Sequence, residues 1–159
     1  MVEDPSRRVR SRKLIEDMLE ERRQMLVLLW ELFGRSDSEP DADFYDTLNQ
    51  FLNVLVDYLS AGHFGLYGRI ADGNERRQKV VEAAESTYPV IAEITQLALD
   101  FSERYEAPET HHTDELVSDL SKLGEALANR IELEDQLILA MLGETFEIPA
   151  ETRAGGAGA

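Results

Sequence analysis

The residues of this chain that could do chemistry gather mainly in the run Leu55–Phe64. Asp57, Ser60 and His63 together contain a carboxylate, a hydroxyl and an imidazole, the raw material of nucleophilic hydrolysis. Hydrolases of the common α/β type hold the serine on a Gly-x-Ser-x-Gly elbow, and no such motif occurs here. His63 is better read as a residue that caps or orders the joint at Gly62. The same run offers a second kind of chemistry. Asp57, Ser60 and Phe64 recur at intervals of three and four, so on a helix they make one stripe of charge, hydroxyl and aromatic ring. That combination suits non-covalent recognition, in which an aromatic anchor carries a disproportionate share of the energy. The alternative is a locally satisfied surface or a contact within the fold.

Two further groups bear on chemistry. Helical bundles hold paired metals with a Glu-x-x-His from each of two helices, whereas this chain has that spacing once, at Glu109–His112, just after Pro108 in a predicted loop. The adjacent His111 and His112 read as solvated loop residues, and no metal is expected. Glu134 stands in an apolar stripe beside Ile131, Leu137 and Ile138, with Arg130 one turn earlier. A lone buried carboxylate is costly, so Arg130 and Glu134 are expected to form a buried ion pair with a structural role. Neither a phosphate-binding Walker loop nor a dinucleotide glycine fingerprint is present, so no cofactor is implied.

Four helical segments must position these residues. The first runs from about Arg10 to Phe33, with Leu14, Met18, Met25 and Leu29 beside Ile15, Leu19, Leu26, Trp30 and Phe33. Its run Leu26–Trp30 is apolar all round, which offers a strip for self-association. The second carries Phe44, Leu48, Phe51, Leu52, Leu55 and Leu59 on one face, opposite Asp57, Ser60 and Phe64. Gly62 leaves open whether that helix reaches Phe64, and a glycine-spaced joint, Gly65–Gly73, follows. The third spans about Asn74 to Tyr105 with Val80, Ala84, Thr87, Ile91, Ile94, Ala98, Phe101 and Tyr105 in register. Pro89 predicts a kink or two stacked helices near Thr87. The fourth spans Thr113 to Leu142, with Thr113 as N-cap and Leu116, Leu120, Leu123, Leu127, Ile131, Ile138 and Met141 inward. The fold class is therefore all-α, an antiparallel four-helix bundle with a kinked third segment and a short joint after the second helix. One domain over 1–148 is expected, with 1–9 flexible and 149–159 a disordered tail.

The 159 residues carry 32 acidic and 16 basic side chains, a net charge of −16. Arg7, Arg8, Arg10, Arg12 and Lys13 outnumber Glu3 and Asp4 in the first 13 residues, so the rest is more acidic still. Such a body repels phosphate backbones and anionic membranes and attracts basic partners. Direct nucleic-acid or membrane binding is not expected. The absence of cysteine excludes thiol catalysis and disulfides and suits a reducing compartment. The opening residues lack the order of a signal peptide, and no apolar stretch approaches a membrane span of roughly 18 residues. A soluble cytoplasmic protein is expected.

Three blocks then acquire a common meaning: Lys13–Leu19 continuing to Leu32–Gly34, Leu55–Ile70, and Gly124–Leu127 continuing to Leu133–Ile138. In order and separation they resemble the Rsd/AlgQ family of bacterial regulators. The resemblance implies an all-α bundle that acts as an anti-sigma factor. Its partner would be the C-terminal, promoter-recognising domain of the primary sigma factor of RNA polymerase, a basic helix-turn-helix module, whose use by the polymerase would fall. Asp57, Ser60 and Phe64 would be sigma-contacting positions, and Tyr58, Leu59 and His63 would support them. The chain departs from the family pattern at Met18, where members commonly have tryptophan, and at Gly65 and Gly68. The other functions weighed are a metal-dependent bundle enzyme and a self-associating scaffold.

Overall fold

The computed structural model describes residues 5–35, 41–68, 77–106 and 113–153, with the side chains of 5–9, 11, 64, 113 and 114 outside that description. Four helices carry the fold: α1 Pro5–Gly34, α2 Ala42–Gly62, α3 Gln78–Tyr105 and α4 Thr113–Leu142. Among the described residues there is no strand. α1 begins at Pro5, earlier than its apolar periodicity predicts, because proline's fixed φ and missing N–H suit the first turn. α2 begins where the Asp41 carboxylate accepts the Phe44 N–H at 2.8 Å, an N-cap that satisfies one of the orphan donors.

Every neighbouring pair of helices runs antiparallel. Gly62 and Gly65 of the α2 end lie against Met18 and Leu14 of α1, while Gly124 and Asp135 of α4 lie against Phe33 and Arg22. Thr95 and Arg104 of α3 reach Arg130 and Asp119 of α4, and the Phe51 and Phe101 rings of α2 and α3 meet edge to face at 6.4 Å. The core is one cluster of leucine, isoleucine, methionine and aromatic side chains drawn from all four helices. Each such residue, buried rather than exposed, contributes about 1.5–3 kcal/mol.

The third segment is one unbroken helix with Pro89 in its interior. Its buried set, Val80, Ala84, Thr87, Ile91, Ile94, Ala98, Phe101 and Tyr105, is the stripe that the sequence predicts. Proline removes the amide that would bond the Glu85 carbonyl, and upstream the hydroxyls of Ser86 and Thr87 both donate to the Ala83 carbonyl, at 3.0 and 2.8 Å.

Two segments extend the helical core beyond α2 and α4. At Gly62, where the sequence leaves the helix end open, α2 passes directly into a π-helical turn, His63–Tyr67, closed by the Gly68 N–H bonding the His63 carbonyl five residues back. Beyond Gly143, whose φ of +99° turns the chain, residues 146–153 fold back along α1. There Arg12 lies over the Phe146 ring at 5.3 Å, Ile148 is buried and Ala150–Thr152 forms a 3-10 turn. The apolar Ile148 and the buried Thr152 hydroxyl give this strap something to dock. Residues 1–4 and 154–159, parts of the expected flexible arm and tail, and Glu109–His112 lie outside the described residues.

The Leu26–Trp30 strip is split between core and surface. Leu26 and Leu29 are buried, Val27 and Trp30 are exposed, and Trp30 and Phe33 border a groove of about 410 Å³ whose far wall is Leu127, Ala128 and Ile131.

Candidate contact face and the network behind it

α2 turns two opposite faces from the same few residues. Asp57 and Ser60 are exposed, and so is His63 at the start of the π turn. Tyr58 and Leu59, between them in sequence, are buried. Phe64 belongs to the π turn by its backbone, and its side chain lies outside the description. The structure thus places Asp57 and Ser60 on one surface stripe and Tyr58 and Leu59 in the core behind it. Across the α1–α2 seam Glu21 joins the face: its carboxyl is held above the ordinary range by burial first, then by the charges of Asp57 and Glu20. The edge is strongly negative.

Behind that face a buried polar network centres on Glu134. Tyr58 of α2 donates its hydroxyl to one carboxylate oxygen, and Tyr67, closing the π turn, donates to the other at 3.4 Å. Arg130 donates through Nε to the second oxygen at 3.3 Å and through Nη1 to Thr95 of α3 at 2.7 Å. Arg22 of α1 brings Nη1 to 3.6 Å from Glu134 and Nη2 to 2.8 Å from Asp135. Thr152 of the strap accepts from Arg22 Nη2 at 3.1 Å and donates its own hydroxyl to the Pro149 carbonyl at 2.7 Å. Two guanidinium groups face two carboxylates, so the cluster is charge-balanced, as burial at this depth requires.

The electrostatics follow from the geometry. Burial first, and then the neighbouring Glu134 charge, push the Tyr58 and Tyr67 hydroxyls well above the ordinary phenol range, so both stay protonated and act as donors. Burial weakens the Arg130 charge, but the neighbouring Glu134 carboxylate more than restores it. Burial raises the Asp135 carboxyl, and Arg22 opposes the shift.

Glycine makes the close approach possible. A Cβ on Gly62 would lie 3.2 Å from Arg130 Nη2 and 3.5 Å from Glu134, and one on Gly65 would lie 3.1 Å from the Leu14 carbonyl oxygen. The end of α2 therefore rests directly on the ion pair and on the backbone of α1.

Sequence reasoning paired Arg130 with Glu134 but missed Arg22, Tyr67, Asp135 and Thr152 as members of the same cluster. Arg22 did carry a signal, because it falls at helical spacing between Met18 and Met25, both buried. Among the described residues no three His, Asp or Glu side chains group as metal ligands, and no helix is long and apolar enough to cross a membrane. What the arrangement offers chemically is a charged outer face on a rigid support.

Known proteins resemble this chain over most of its length. Curated relatives named "Regulator of sigma D", from Salmonella paratyphi B and Salmonella newport, are 35% identical to this chain over 136 residues, covering 81% of it and 82% of each relative. No solved structure matches the chain significantly. The profile of the family described as "Regulator of RNA polymerase sigma(70) subunit, Rsd/AlgQ" matches residues 3–142, from before α1 to the end of α4, and the chain belongs to that family.

Proposed function

We propose that this protein is an anti-sigma factor, a stoichiometric binder without chemical turnover. It captures the C-terminal, promoter-recognising domain of the primary sigma factor and reduces its use by RNA polymerase in the cytoplasm. The observation that carries the reading is the pairing of Asp57 and Ser60, exposed on α2, with Glu21 across the seam of α1. Acidic edges of this kind complement the basic surface of a helix-turn-helix module and speed its capture. Phe64 supplies the apolar part of the contact, and His63 flanks it. Tyr58 and Leu59 act from behind, by holding α2 against the core. The net charge of −16 disfavours direct contact with nucleic acid or an anionic membrane, so the partner is protein.

Calorimetric titration of the isolated sigma domain tests this. The wild type should saturate at one to one, and Asp57→Arg should bind at least about tenfold more weakly. Raised salt should weaken the wild type toward a residual affinity that Phe64→Ala then removes. Equal binding by wild type and Asp57→Arg would mean that the face is misplaced; no binding by wild type would reject the function.

A further inference from the structure

Tyr58 and Tyr67 bond opposite oxygens of one carboxylate, although they are separated by the exposed residues Ser60 and His63. An uninterrupted α-helix turns about 100° per residue, so this separation would set the two phenols on opposite faces. The π turn between them rotates the chain less per residue and brings Tyr67 round to the side of Tyr58. Gly65 lets that widened turn lie against the α1 backbone at Leu14. π turns carry poorer helical geometry and persist where surroundings hold them. Here the holding group is Glu134, itself fixed by Arg130 and by Arg22, which the Thr152 strap covers.

We propose that Tyr67 and Glu134 are positioning residues for the contact face: their bond clamps the π turn and so sets the direction in which the segment His63–Phe64 meets its partner. The clamp touches no partner atom, since Tyr58, Tyr67 and Glu134 are buried. It acts by removing the freedom of a turn that would otherwise relax to a regular helix, and preorganisation of this kind saves the ordering cost at binding. The inference rests on the sigma-binding reading for its functional half and on geometry alone for its structural half.

The test is Tyr67→Phe in the full chain, which deletes one hydroxyl and keeps the ring. Tyr105→Phe is the matched control, because it removes a phenol–carboxylate bond to Asp119 of 2.6 Å between α3 and α4. Amide exchange over 63–68 should rise about tenfold in Tyr67→Phe and stay at the wild-type rate in Tyr105→Phe. Affinity for the isolated sigma domain should fall about tenfold in the first and hold in the second, with both variants cooperatively folded by thermal melting. Unchanged exchange over 63–68 in Tyr67→Phe would overturn the clamp whatever the partner. Faster exchange with unchanged affinity would overturn its positioning role. If the wild type fails to bind the sigma domain, the functional reading and the positioning role fall together, and the exchange measurement alone still decides whether the clamp exists.

Discussion

Arg22 and Thr152 stand 130 residues apart in sequence and share a hydrogen bond of 3.1 Å in the core. The first helix and the last described turn of the chain are thereby joined, and the guanidinium that reaches Glu134 and Asp135 is covered by the strap. Thr152→Ala should cost about 1 kcal/mol in urea unfolding, the net value of one such bond. Thr152→Ser should retain most of it. Equal losses for alanine and serine would show that packing of the methyl group, rather than the hydroxyl, is what matters.

Glu134→Leu should be far more damaging. It leaves Arg130, Arg22 and two buried phenols without their common acceptor, and a broken buried pair costs roughly 3–5 kcal/mol. Adding Arg130→Met should recover part of the loss, because the guanidinium left without its carboxylate is then gone as well, while Arg22 keeps Asp135. Chemical denaturation of the single and double variants measures this; a double variant no more stable than Glu134→Leu would count against the pairing.

Two glycines should respond oppositely to alanine. At Gly62 a methyl group meets Arg130 Nη2 at 3.2 Å beside the ion pair, and overpacking of this kind costs about 1–3 kcal/mol. Gly34, at the end of α1, has nothing within 4 Å of the added atom, so alanine there should stabilise by about 0.4–1 kcal/mol. Paired thermal melts decide it: stabilisation by alanine at Gly62 would contradict the packing described there, and destabilisation at Gly34 would contradict the open space at the end of α1.

The contact face should carry a pH signature. Glu21 has its carboxyl raised above 4.5 by burial, Asp57 and Glu20, so the folded chain favours its protonated form. Its contribution to stability is then full below the ordinary glutamate range and is lost as pH rises through the raised value. Glu21→Gln should slightly stabilise the protein in neutral buffer, with the gain vanishing in acid, as chemical denaturation at the two pH values measures. A gain that persists unchanged below 4.5 would point to side-chain packing rather than charge.

Periodicity made α3 and most of α2 legible, because nearly every inward position is apolar and falls at intervals of three or four. The Arg130–Glu134 spacing was readable for the same reason. Arg22 was not, since an arginine at the edge of an apolar stripe ordinarily runs its stem along the surface and leaves its head in water. Tyr67 was hidden by helical arithmetic, which places it opposite Tyr58 unless a π turn intervenes. Thr152 was obscured by the alanine and glycine that follow it, a composition that resembles disorder. In each case the deciding partner lies on another helix, beyond what local spacing records.

Bundles lined with leucine slide easily, since a shift along the axis exchanges one apolar contact for another. Moving α4 by a single turn, about 5.4 Å, would carry Glu134 away from Tyr58, Tyr67 and Arg22 at once. One carboxylate therefore works as an index mark: it ties α1, α2 and α4 to one register, and with it favours one height at which Asp57 and Ser60 emerge at the surface.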